Sequence, residues 1–141
     1  LYTVDHQTLK TVDISEPAHP VHYQVRDRYL GWDIETIFPM GDKLFIGSRN
    51  GMYIYDISNP EFPHELSRTE HFTSCDPVVA QGRYAYVTLN SLGSFCGRSD
   101  NVLQIYDIAD LTNPLLKKEY PLNGPRGLGV DGDRLFVCDR G

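Results

Sequence analysis

Two short phrases recur along this chain, and their shared period constrains the fold more than any other feature. The first is Asp-Ile-Ser-x-Pro. It reads Asp13-Ile14-Ser15-Glu16-Pro17, then Asp56-Ile57-Ser58-Asn59-Pro60, then Asp107-Ile108-Ala109 with its proline three residues late, at Pro114. The second is a glycine turn followed by a strand-like run: Gly41 to Ile46, Gly82 to Val87 and Gly132 to Val137. The first marker recurs after 43 and then 51 residues, the second after 41 and then 50. Both intervals lengthen in the same unit, so the chain repeats one element and carries one insertion.

The element is built of strands. Twelve glycines and nine prolines punctuate the chain, and the apolar runs between them are short and rich in Tyr, Phe, Val and Ile, residues that fit a pleated surface. No segment of ten residues keeps the i, i+3, i+4, i+7 spacing of a helix face. In the middle unit the strands fall at Asp33 to Phe38, Leu44 to Ser48, Met52 to Ile57 and about Glu65 to Thr69. Asn50-Gly51 marks a hairpin in which both residues tolerate positive φ. The Asp, Ser and Pro of the first marker read as turn chemistry: short polar side chains that bond nearby backbone N–H groups, and a proline that ends the ladder. About 40–45 residues holding four strands is the size of a β-propeller blade. The expected fold is all-β, with blades of four antiparallel strands in about three repeats plus one strand: units 1–43, 44–84 and 85–134, then a strand at 135–141. In this phasing Leu1 enters at a second strand and the chain stops within a blade. Propellers close with about four to eight blades. The native molecule is therefore expected to be longer, with remaining blades or further copies needed for closure.

The phrases Met52 to Pro60, Val102 to Ile108, Gly82 to Val87 and Asp76-Pro77-Val78-Val79 resemble the LVIVD repeat, over nearly the whole chain. The resemblance implies a bacterial secreted or surface-anchored β-propeller, with binding or scaffolding as its role and no catalytic motif. Its partner would be another envelope protein or a glycan. The sequence departs from the family pattern in the Asn90 to Asn101 insertion and in a stretched Asp107 to Pro114 segment.

Other function classes find little support. The net charge is −6, from 13 basic and 19 acidic residues, which disfavours nucleic acid, whose phosphates need a basic surface. No 18-residue apolar run is present to cross a membrane as a helix. The chain starts at Leu1 without a signal-peptide pattern, as a fragment or processed product would. No CxxC or His-x3-His pair suggests a metal, and no nucleophile-elbow, dinucleotide or phosphate-loop motif is present. No cofactor is expected. Asp131-Gly132-Asp133 repeats the turn position. The alternative is a propeller hydrolase or lyase with its site at the central channel, because one fold hosts both roles.

Three cysteines occur. Cys75 precedes a first strand, and Cys96 lies in the insertion between strands two and three of the same blade. A meandering blade brings those two loops to one face, so a Cys75–Cys96 disulfide is expected, and with it an extracytoplasmic location. Cys138, in an apolar run, is expected in the core. The same loop face carries aromatics beside arginines, the chemistry of contact surfaces. Its candidate binding residues are Arg28, Tyr29, Trp32, Arg49, His71, Phe72, Phe95, Arg98, Arg126 and Arg140. Arg49 and Arg140 are equivalent in the repeat, so two guanidinium groups are expected on one face. Trp32 is equally suited to packing under a neighbouring blade.

Overall fold

The computed structural model describes residues 1–5, 7–23, 33–70, 75, 77–91 and 100–140. Among these there is no helix, and the strands form antiparallel sheets in chain order. The first sheet contains β1 (Tyr2–Asp5), β2 (Thr8–Asp13) and β3 (Val21–His22). The second is complete: β4 (Ile34–Met40), β5 (Lys43–Ser48), β6 (Gly51–Asp56) and β7 (His64–Glu70). The third is equally complete: β8 (Val78–Gln81), β9 (Tyr84–Leu89), β10 (Val102–Asp107) and β11 (Leu115–Pro121). A hairpin of β12 (Gly127–Asp131) and β13 (Arg134–Cys138) follows. Each four-stranded sheet is a simple meander, as the repeat requires of a propeller blade, and the sheets do not close into a ring.

The glycine marker is a hairpin turn. Met40 pairs with Lys43, Gln81 with Tyr84 and Asp131 with Arg134, leaving two-residue loops that begin with Gly41, Gly82 and Gly132. These three glycines have φ of +61°, +57° and +58°. Positive φ at the first central residue alone is the II′ pattern, whose twist matches that of the flanking strands.

The Asp marker is an Asx turn at the end of strand three. Asp13 accepts a hydrogen bond from Ser15 N at 2.8 Å, Asp56 from Ser58 N at 2.8 Å and Asp107 from Ala109 N at 3.0 Å. A second turn follows in each unit: His19 N donates to Glu16 O, Phe62 N to Asn59 O and Asn113 N to Asp110 O. Strand four then starts at Val21, His64 and Leu115, eight residues after each Asp. The Asp107 to Pro114 segment is therefore not stretched. Pro114 is the counterpart of Pro63 and Pro20, and Leu111 stands where the other units have Pro60 and Pro17. The outer pairing is bulged at one repeated place, between Ile54 and Tyr55 in one blade and between Ile105 and Tyr106 in the next. A bulge there increases the twist of the outer strand.

Alternation along β5 and β6 gives the middle blade two apolar faces. Phe45, Met52 and Ile54 pack with Val78, Ala80, Ala85 and Val87 of the next blade. Leu44, Ile46, Tyr53 and Tyr55 pack the other way with Leu9 and, at the margin, Tyr2 and Val4. A sheet buried on both faces between neighbours is blade stacking, and at about 25 cal/mol per Å² of apolar surface it is the main stabilising term. Among the described residues two hydrogen bonds also cross from blade to blade: Val78 N donates to Thr36 Oγ1 at 3.1 Å and Ser67 Oγ to Leu111 O at 2.6 Å.

The Asn50-Gly51 turn differs from expectation. Ser48 pairs with Gly51, so the loop residues are Arg49 and Asn50. Asp33, at +45°, is the described non-glycine residue with positive φ, and Asn50 does not share it. The glycine is required by space: a Cβ on Gly51 would collide with the Thr69 carbonyl oxygen. Cys138 also departs from expectation. It is exposed and free, because alternate residues of β13 point to a face that no further sheet covers in this chain.

Candidate functional site at the mouth of the inner trough

The first strands β4, β8 and β12 neighbour one another from sheet to sheet and form the inner wall of the assembly. Their two ends open into clefts. At the glycine-turn end the cleft is lined by Phe38, Pro39, Met40, Ala80, Gln81, Gly82, Val130, Asp131 and Gly132. At the loop end a cleft of about 270 Å³ is lined by Glu35, Thr36, Cys75, Pro77, Asn90, Pro125 and Arg126. Both draw residues from three consecutive blades, and the second carries Glu35, Thr36, Asn90 and Arg126.

Its side chains are placed by the repeat. Thr36 and Gly127 are equivalent in the repeat: they lie opposite Gly47 and Cys138, each six residues past a turn glycine, Gly41 or Gly132. Arg126, one residue before β12, therefore comes to the rim where Glu35 stands on β4. Asn90, one residue past β9, is 5% exposed and forms an isolated antiparallel bridge with Cys75. Cys75 N donates to Asn90 O at 3.3 Å, which holds the segment before β8 against the end of β9. Pro125 is fully buried and makes a rigid floor beside Arg126.

The charges sort into paired and unpaired groups. Arg49 lies 3.2 Å from Asp33 and 3.6 Å from Glu35, and its side chain is 29% exposed. Its guanidinium is thus held between two carboxylates on the edge of β4. Arg126 is exposed and makes no side-chain hydrogen bond or ion pair with any of the described residues. The nearest acid in sequence register, Asp139, is already engaged by the backbone. It accepts from Asn123 N at 3.0 Å, Gly124 N at 2.7 Å and Arg140 N at 3.0 Å, and these N–H groups hold its carboxyl below the usual range. Arg140 is exposed beside it, and its guanidinium likewise has no partner among the described residues.

Of the residues singled out in the sequence, Arg126 lines this cleft and Arg140 stands at the same end of the β12–β13 hairpin. Arg49 occupies the equivalent repeat position but is drawn into the Asp33–Glu35 pairing. Arg28, Tyr29, Trp32, His71, Phe72, Phe95 and Arg98 lie outside the described residues. Cys75 is disulfide-bonded, and Cys96, its expected partner, lies outside the described residues. Among the described residues no group of three or more metal-ligating side chains converges, and no helix is long and apolar enough to cross a membrane. Sequence reasoning missed Glu35, Thr36, Pro77, Asn90 and Pro125. Each lies toward the strand end away from a glycine turn, five to eight residues from Gly41, Gly82 or Gly132, so counting from that marker could have found them.

Comparison with known proteins agrees with the repeat geometry. No curated protein matches the chain. A model of the LVIVD repeat matches residues 1–24, 37–70 and 94–121, more than half of the sequence. The matched segments contain all three Asx turns and the strand pairs β2–β3, β6–β7 and β10–β11 that flank them. This chain belongs to the LVIVD repeat family.

Proposed function

We propose that this protein is a non-catalytic binding or scaffold module of the bacterial cell surface or envelope, and that it recognises a protein or glycan partner through the loop face. The observation that carries this reading is the loop-end cleft. Three blades contribute to it, its floor is proline and a bridged backbone, and it presents an unpaired arginine to solvent. Rigid walls with a few polar groups at the rim suit recognition. The acids of the repeat motif are committed to turns and ion pairs, which leaves them unsuited to proton transfer. The extracytoplasmic setting rests on the proposed Cys75–Cys96 bond, since disulfides persist in oxidising compartments, and on the bacterial surface character that the repeat family implies.

The test is an array of envelope-derived peptides and glycans probed with the protein. Arg126→Gln and Arg140→Gln change the loop end, and Asp131→Asn and Asp133→Asn change the opposite end. The reading expects specific spots that the loop-end changes weaken and the turn-end changes leave intact. Binding insensitive to the loop end, or turnover of a bound compound, overturns it.

A further inference from the structure

We infer that the loop-end cleft takes a carboxylate carried on a peptide, an exposed Asp or Glu side chain of a protein partner, with Arg126 as its counter-ion. This rests on the binding role proposed above and names the chemistry of the ligand. Four observations lead to it.

First, Arg126 is the cation that lines the cleft, and no described residue neutralises it. A guanidinium offers five donors in a planar fork that matches a carboxylate bidentately. Second, the acid in the lining, Glu35, lies 3.6 Å from Arg49 and is engaged there, so it forms no ion pair with Arg126. Asp33, Glu35, Arg49 and Arg126 together carry no net formal charge, on a chain whose net charge is −6. Third, Asp139 is kept away from both Arg126 and Arg140 by three backbone N–H donors. An acid that would otherwise cancel the site is spent on holding the 123–124 turn. Fourth, the walls beside Arg126 are Pro77 and Pro125. A short aliphatic stem with a charged head needs only such an apolar wall and a fork. A cleft of about 270 Å³ accommodates such a side chain and its neighbour. The acidic surface of the chain slows approach of an acidic partner at long range. Screening limits that penalty beyond about 8 Å at physiological ionic strength, and at contact the unpaired Arg126 fork is the donor that a carboxylate meets.

The experiment titrates the whole protein with acetyl-Glu-Glu-Glu-amide, acetyl-Gln-Gln-Gln-amide and trigalacturonate, followed by calorimetry and by backbone amide shifts of Gly127 and Gly82. The Glu peptide should bind and move Gly127, near Arg126, more than Gly82 at the far end. The Gln peptide should bind at least about ten-fold more weakly. Arg126→Gln should weaken the Glu peptide about ten-fold or more, and Arg126→Lys should restore part of the loss, because lysine keeps the charge but not the fork. Arg126 is exposed, so these variants fold if their amide spectra match the parent elsewhere. Trigalacturonate binding through Arg126 without peptide binding would overturn the peptide assignment. Glu-peptide binding unchanged in Arg126→Gln, or no binding by either acid, would overturn the inference. In that event array spots sensitive to other loop-end residues would still stand, separating its failure from failure of the binding role.

Discussion

Arg83 holds Asp107 in a two-pronged ion pair, Nε to Oδ1 at 2.9 Å and Nη2 to Oδ2 at 2.8 Å, and so fastens the glycine turn of one hairpin to the Asx turn of the next. Asp107 is simultaneously the acceptor for Ala109 N and lies 3.7 Å from Lys117. In the preceding blade Lys43 does the same for Asp56 at 3.1 Å. The repeat thus places a cation from strand two or its turn opposite the terminal Asp of strand three, and both blades depend on that carboxylate being ionised.

Stability should fall in acid for this reason. The Arg83 bonds, with the Ala109 N–H, hold Asp107 well below the usual carboxylate range. The Ser58 bonds, with Lys43, pull Asp56 from 3.8 down to about 2. A depressed folded-state pKa gives stability that is complete above the unfolded value and is lost as pH falls through the folded one. Denaturant midpoints should therefore decline between about pH 4 and about pH 2, the interval set by the two Asp56 values. Asp56→Asn should flatten that decline while keeping the turn acceptor for Ser58. A midpoint that falls equally steeply in the variant would remove Asp56 from the account.

Glycine should matter differently at two turns. Gly41→Ala meets no atom within 4 Å but must hold φ near +61°, so it should cost about 1–2 kcal/mol. Gly51→Ala drives a Cβ into the backbone of Thr69, and relief requires β6 and β7 to part. Its cost should be larger, about 3 kcal/mol. Urea melts of the two variants decide the order, and a reversed order contradicts the packing described for β6 and β7.

Phe45 tests the stacking of blades. It is fully buried between the second and third sheets. Phe45→Ala should destabilise by about 3–5 kcal/mol and should lower hydrogen-exchange protection in both β5 and β8. Loss confined to one sheet would mean that the blades unfold independently.

The disulfide prediction joins compartment to fold. Non-reducing peptide mapping of native protein should recover Cys75 linked to Cys96, and Cys138 alkylated as a free thiol. Removing the bond by Cys75→Ser should cost about 2–5 kcal/mol. Separate alkylated peptides for Cys75 and Cys96 would remove the disulfide basis for an extracytoplasmic setting.

Much of the fold was legible because local chemistry repeats. Gly41, Gly82 and Gly132 signalled hairpins through a positive φ that other residues resist, and Asp13, Asp56 and Asp107 signalled turns through a side chain that bonds two residues on. The strands of the middle unit fell within two residues of their expected limits. The proline correspondence is hidden in the third unit because Leu111 replaces a proline, so that spacing from Asp107 and not residue type identifies Pro114. Cys138 was misjudged because an apolar run reports strand formation but not which faces a neighbour covers. The cleft was only half legible. Arg126 and Arg140 could be named as loop-face cations, but the neutralisation of Arg49 depends on Asp33 and Glu35 meeting it across a hairpin. The freedom of Arg126 depends on Asp139 turning to the backbone. Neither relationship leaves a trace in linear spacing.

The central claim is that recognition occurs at the loop end of the inner strands, and site-specific photo-crosslinking tests it most directly. A benzophenone side chain placed at Arg140, past the end of β13, and separately at Asp133, before its start, samples the two ends of one strand in whole cells. The account predicts discrete adducts from position 140 that disappear with Arg126→Gln, and only diffuse background from position 133. Discrete adducts from position 133 with none from position 140 would contradict it.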